Sequence, residues 1–267
     1  MRVGFVPTMG ALHDGHLSLI QQARANADRV VASIFVNPTQ FAPGEDFDAY
    51  PRTLETDAAK LARAKCDLLY APLASDMYPD GFSVSLTVGG PSHGLESDFR
   101  PHFFGGVATV VAKLFNRVQP DIAVFGEKDF QQLLVIRHMV RDLDLPIEIL
   151  PGATLRERDG LALSSRNAYL STDERRTAAS LNEILAAFAR DLSTGYDWET
   201  AQGKALAKAA SAFDRVDYIE ARCAETLATL PAGPVHQPAR ILAAVWLGKT
   251  RLIDNMPVGQ ITRPRSR

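Results

Sequence analysis

Short apolar runs alternate with segments of helical period through the first half of the chain. Residues 3–6, 30–36, 67–71, 122–125 and 147–150 have strand length, whereas 16–27, 53–64, 107–118 and 130–143 carry apolar positions at helical spacing. The strand runs are continuously apolar, which predicts burial on both faces and so a parallel sheet covered by helices. The expected fold class is therefore α/β. Sheets of this kind bind ligands beyond the carboxyl ends of their strands, and PTMGALHDGH, NPTQF and GEKDF all fall there.

The pattern changes after residue 170. Ser171, Thr172, Asp173 and Glu174 make an S-x-x-E helix start for an Ala-rich stretch reaching Ala189, and a second helix is expected over 198–213. Runs at 216–221, 241–247 and 251–253 read as a small antiparallel sheet with a turn at Gly248. The reading is two domains, 1–154 and a smaller α+β domain over 155–267, with TRPRSR as a solvated tail.

Composition narrows the partners. With 29 basic against 31 acidic residues there is no surplus of positive charge for a nucleic-acid backbone. No apolar run approaches the roughly 18 residues of a membrane span, and the N-terminus lacks the regions of a secretory signal. Cys66, at the end of a helical pattern, and Cys223, read as lying in a loop, suit a reducing compartment, so a cytoplasmic protein is expected.

His13 and His16 flank Gly15 where the first strand meets the first helix. Unpaired N–H groups and the helix dipole favour an anion there, and imidazole N–H groups extend the donor array. Met9 and Gly10 supply a turn open to close backbone approach. For the pair alone the plainer reading, one imidazole capping a turn and the other packing beside it, carries more weight. Zinc is disfavoured, since no Cys, third His or H-E-x-x-H pattern lies near.

Ser164, Ser165 and Arg166, preceded by Arg156 to Gly160, group two hydroxyls with a guanidinium suited to phosphate, although alone they read as a Ser-rich surface turn. Lys128 sits at the positive end of a helix, an unfavourable place that points to an anionic partner, while Asp129 suits a cap. LGKT at 247–250 is not a P-loop, because Ala243 stands where its first glycine belongs; it reads as a hairpin turn. Neither G-x-G-x-x-G nor G-x-S-x-G occurs.

PTMGALHDGH, VNPTQF, YPRTLETD, FGEKDFQQL, RERDGLALSSRNAYLS and TRLIDN follow one another along nearly the whole chain, and in this order they resemble the pantoate–β-alanine ligase family. The resemblance implies a Rossmann-like nucleotidyltransferase domain related to class I aminoacyl-tRNA synthetases, with HDGH matching the HIGH element and LSSRN replacing the KMSKS loop. It implies that pantoate and ATP give pantoyl adenylate and pyrophosphate, and that β-alanine then gives pantothenate and AMP, with Mg²⁺ required. Carried over by position, Met9, Gly10, His13 and His16 lie at ATP, and Lys128, Ser164, Ser165 and Arg166 hold the outgoing phosphates. Gly126 and Asp129 hold the ribose and adenosine end, and Leu155 joins the ATP set. Gln40 and Gln132 bind pantoate, with Asn37, Tyr50 and Arg100 around the pocket.

A homodimer and a lid role for the small domain are further implications. No β-alanine site, general base or metal ligand is assigned. The chain departs from the family at Arg100 to Phe104, R-P-H-F-F in place of R-P-G-H-F, and begins at the first strand where the family has a leading segment. Two competing readings are a related nucleotidyl-transferring enzyme on the same fold and a nucleotide-binding regulatory module. Pantoate-dependent pyrophosphate exchange separates the first, and AMP release with both substrates the second.

Overall fold

The computed structural model describes residues 1–42 and 44–259; the tail expected in TRPRSR, 262–267, lies outside the described residues. The chain divides into two compact units, Met1–Leu155 and Arg156–Arg267. The first contains a five-stranded parallel sheet of β1 (Val3–Thr8), β2 (Arg29–Ile34), β3 (Leu68–Tyr70), β4 (Ile122–Gly126) and β5 (Glu148–Gly152). The spatial order is β3-β2-β1-β4-β5. Its helices are α1 (Asp14–Asn26), α2 (Leu54–Arg63), the short α3 (Ala74–Met77) and α4 (Glu96–Phe99), then α5 (Phe103–Val118) and α6 (Phe130–Asp142).

Successive strand residues face opposite sides of a sheet. Val6 and Val124 join Leu19, Ile20 and Ala23 of α1 in one buried cluster. Their sequence neighbours Phe5 and Phe125 meet Phe115 of α5 edge to face, with ring centroids 6.2 and 6.3 Å away. Helices thus cover both faces of β1 and β4, which is why those strands are apolar without alternation. The edge strands β3 and β5 are partly exposed.

Strand order also places the functional end of the sheet. From β1 the chain proceeds to β2 and β3 on one side, then returns to β4 and β5 on the other. The loops leaving β1 and β4 therefore diverge from neighbouring strands, and the crevice between them is where a sheet of this type takes its ligand. PTMGALHDGH leaves β1 and GEKDF leaves β4.

The second unit contains α7 (Thr172–Ser193), α8 (Trp198–Ala212) and an antiparallel sheet of β6 (Arg215–Cys223), β7 (Ala239–Leu247) and β8 (Thr250–Val258). Ser171 and Glu174 form the expected reciprocal cap of α7. LGKT forms the tight connection from β7 to β8, with Gly248 at φ +54°. Cys223 ends β6 and does not lie in a loop as expected; its register partner across the ladder is Ala239. At the start of this unit Arg156 forms a two-pronged ion pair with Asp254 of β8, at 2.7 and 2.9 Å.

One glycine sets how closely α5 approaches the 3₁₀ turn Pro38–Gln40 of the first unit. A β-carbon at Gly106 would lie 2.5 Å from the Thr39 carbonyl oxygen and 2.8 Å from its Oγ1. The clash is with backbone, so the turn itself must move to relieve it. We expect Gly106→Ala to cost about 1–3 kcal/mol of stability, read as a lower urea midpoint. An unchanged midpoint would show the turn to be loosely held.

Candidate active site

The loop after β1 is an unusual piece of backbone. Gly10 and Ala11 are both left-handed, at φ +86° and +49°. A side chain at Gly10 would meet Asp57 Oδ2 and Ile34 Cγ2, each at 3.2 Å, so glycine is required on two counts. For Ala11 the left-handed state costs about 1–2 kcal/mol. Its N–H donates to Asp57 Oδ2 at 2.8 Å, and the Leu12 N–H donates to Asp57 Oδ1 at 2.9 Å. Asp57, from α2, is fully buried.

These bonds correct the expectation of a free N–H array. Gly10 N–H donates to Thr8 Oγ1, His13 N–H to His16 Nδ1 at 3.3 Å, and Gly15 N–H to His13 Nδ1 at 3.2 Å. A buried carboxylate and two ring nitrogens have taken the donors that a ligand was expected to meet. What the loop offers outward is the imidazoles themselves.

Their chemistry follows from this capping. A ring nitrogen that accepts a backbone N–H carries no proton, so in both histidines the hydrogen sits on Nε2. Each imidazole caps the start of α1 with one nitrogen and keeps an N–H donor on the other, so capping does not use up the ring's donor. The rings lie 4.1 Å apart between centroids, tilted by 36°. Burial, then the Lys128 ammonium, lowers the His13 pKa to about 4. Burial, then His13 and Lys128, lowers that of His16 to about 3. Both are neutral donors at pH 7.

Lys128 reaches this neighbourhood from the other side of the crevice. β4 ends at Gly126, and a 3₁₀ turn, Glu127–Asp129, leads into α6. The effect of Lys128 on both imidazoles places three donors from two loops in one electrostatic field. Asp129 stands at the N-cap position of α6 but its side chain makes no capping bond, contrary to expectation. At φ −96°, ψ 58° its backbone lacks the extended geometry that brings a cap side chain onto the helix amides. Met9 is partly buried beside buried Gly10.

A second cluster surrounds Asn37, which is fully buried. Its Oδ1 accepts from Thr39 N–H, Thr39 Oγ1 and the Tyr78 hydroxyl, and its Nδ2 donates to Gln40 Oε1 at 3.1 Å. The carboxamide of Gln40 is thereby turned with its oxygen inward and its NH₂ outward. Tyr50 is buried in an aromatic group with Phe41. Arg100 is held between Glu45 and Glu96, donates to the Gln40 carbonyl at 2.6 Å and stacks on Phe103. In the R-P-H-F-F stretch it is thus Phe103 that lies under the guanidinium. On α6, Gln131 is buried and bound to Pro91, Gly94 and Glu96 backbone groups, whereas its neighbour Gln132 is partly exposed with no such bonds.

A family model described as pantoate-beta-alanine ligase matches residues 1–257. The chain belongs to the pantoate-beta-alanine ligase family. It is 66% identical to the pantothenate synthetase of Maricaulis maris, over 96% of this chain and 89% of that protein, and 58% identical to that of Caulobacter vibrioides, over 97% and 91%. The crystal structure of pantothenate synthetase from Thermus thermophilus superposes with a TM-score of 0.91 at 48% identity, covering 97% of this chain and 94% of that one. The pantoate-beta-alanine ligase of Francisella tularensis, crystallised with beta-gamma ATP and beta-alanine, gives 0.79 at 36%, covering 96% and 89%.

The remaining residues that pointed to this ligase family lie at or beyond the division between the units. Leu155 is the last residue of the first unit and is exposed. Ser164, Ser165 and Arg166 belong to the second, where Ser164 caps a 3₁₀ turn, Ser165–Tyr169, by accepting from Arg166 N–H. Arg156 is committed to Asp254, and Asp159 to Arg175 at 2.7 and 3.1 Å. These two RERDG side chains are therefore committed to ion pairs within the second unit. Among the described residues no group of three or more His, Cys, Asp or Glu could hold a metal ion. Asp57 and Lys60 escaped sequence reasoning: they read as ordinary helix-surface charges, and their partners in the loop lie 45 to 48 residues away.

Folding takes both imidazoles from the ordinary value of 6.5 down to about 4 and about 3. The unfolded chain then binds more protons across that window, so their contribution to stability is full above pH 6.5 and falls as the pH drops towards 3. Long-range ¹H–¹⁵N spectra should show both rings as Nε2–H tautomers from pH 8 to 5.5. Titration of either ring near 6.5 would refute the assignment.

Proposed function

We propose that the chain joins pantoate to β-alanine at the expense of ATP, through an acyl adenylate. In the first step a pantoate carboxylate oxygen attacks the α-phosphorus, the bond to the bridging oxygen breaks and pyrophosphate leaves. In the second the β-alanine amine attacks the acyl carbon, AMP departs with the bonding electrons, and the nitrogen gives up a proton to form the amide of pantothenate. One observation carries the reading: two neutral imidazoles with fixed Nε2–H donors share the β1/β4 crevice with the Lys128 ammonium.

Donors of this kind suit the first step. Charge builds on the bridging oxygen as the bond breaks, and preoriented N–H groups stabilise it with little reorganisation. Neutrality in the free state lets an imidazole be packed beside a lysine, where a second cation would be repelled. Ser164, Ser165 and Arg166 are assigned to the outgoing pyrophosphate, and Met9, Gly10, Gly126, Asp129 and Leu155 to the nucleoside side. The outward NH₂ of Gln40 and the uncommitted Gln132 are assigned to pantoate oxygens. Asn37, Tyr50 and Arg100 act from behind, shaping the wall through the bonds described above.

The Mg²⁺ that this reading requires would enter with the triphosphate, as is common for that ion, and would supply charge neutralisation there. A homodimer working in the cytoplasm completes the proposal. No part of the chemistry requires a covalent enzyme intermediate.

The decisive assay mixes ATP, Mg²⁺, pantoate and β-alanine and measures AMP together with the amide product; ATP turnover without the amide would refute the reading. His16→Ala and Lys128→Ala should each lower turnover by about 10²- to 10³-fold. Near-normal turnover in both would remove the donors from the mechanism.

A further inference from the structure

The bonds that hold the histidine-bearing loop converge on one turn of α2. Asp57 accepts from Ala11 and Leu12 through different oxygens, and Thr53 Oγ1 adds a third donor to Oδ2 at 3.0 Å. One turn later Lys60 Nζ donates to the Leu12 carbonyl at 2.5 Å. Both Leu12 backbone groups are thus gripped by α2, and the next residue is His13, whose Nδ1 caps α1.

We propose that Asp57, assisted by Lys60, is a positioning residue for adenylate formation: it holds the Ala11–Leu12 backbone so that His13 and His16 present their Nε2–H groups to the triphosphate. The inference rests on the proposed function for the step it serves. Its geometric content stands on the loop alone. Only a carboxylate puts an acceptor on each oxygen; a carboxamide would turn its NH₂ toward one of the two N–H groups. The stretch it holds includes the left-handed Ala11, and a strained residue persists at a site only where its surroundings over-determine it. Lys60 bears on the imidazoles as well, since its charge lowers the pKa of both. Neither residue touches the reacting atoms in this assignment.

Asp57→Asn and Lys60→Met, compared with the unaltered protein, test it by two readouts. Pantoate-dependent exchange of label between pyrophosphate and ATP reports the first step, and ring-nitrogen spectra report how the imidazoles are held. Asp57→Asn should slow exchange by about 10- to 100-fold, the effect of displacing reacting groups by about an ångström. It should leave the KM for β-alanine unchanged and disturb the Nε2–H pattern of His13. Lys60→Met should act in the same direction, more weakly. A folded Asp57→Asn protein with normal exchange and normal ring signals overturns the inference, even if its Tm is lower, because the role is then structural only. Should Asp57→Asn not fold, unchanged exchange and ring signals in Lys60→Met overturn it instead. Exchange missing from the unaltered protein would refute the proposed function, and the ring spectra would still decide whether Asp57 sets the imidazoles.

Discussion

The reversal of strand order between β1 and β4 is the constraint on which the rest of the first unit depends. Two parallel neighbours whose connections leave in opposite directions cannot close over their own carboxyl ends. The opening is lined from both sides by loops that carry donors. Had β4 been added beyond β3, the histidines and Lys128 would leave strands three positions apart, and no single ligand of modest size would meet them. The apolar packing on both faces of the sheet, Val6 and Val124 against α1 and Phe5 and Phe125 against α5, keeps these two strands central.

Within that opening the loop resolves a conflict between folding and chemistry. A helix start needs acceptors for its first amides, while an anion site needs donors. Histidine satisfies both because its two nitrogens have opposite roles in the neutral ring. Asp at the same positions would cap the helix and offer the ligand only an acceptor. Burial and the nearby Lys128 keep the ring neutral, so its donor is present without a second fixed charge beside the ammonium.

Much of this was legible in the residues themselves. The strands of the first sheet announce themselves as continuous apolar runs, α7 by its Ser171 and Glu174 cap, and the β7–β8 turn by LGKT, since Ala243 upstream of it removes the P-loop reading. What escaped was set by distant partners. Asp57 reads as one more charge on α2 until the fold delivers the loop from Gly10 to Leu12 on top of it. β8 runs to Val258, well past the expected 253, because Asp254 and Asn255 are buried there against Arg156 and Arg240. Polar residues in a strand argue against burial unless their counter-charges are known. The apparent freedom of the N–H groups after β1 misleads for the same reason: their acceptors come from elsewhere in the chain or from side chains normally counted as donors.

The grip of Arg156 on Asp254 bears on the order in which the molecule is made. The first sheet is complete once β5 has left the ribosome, before any strand of the second unit has been translated. The second unit has no such option: its opening residue waits 98 residues for its counter-ion, and β7, its central strand, waits for β8. Vectorial folding therefore runs in two pulses, with the late one exposing the edge of β7 until β8 emerges.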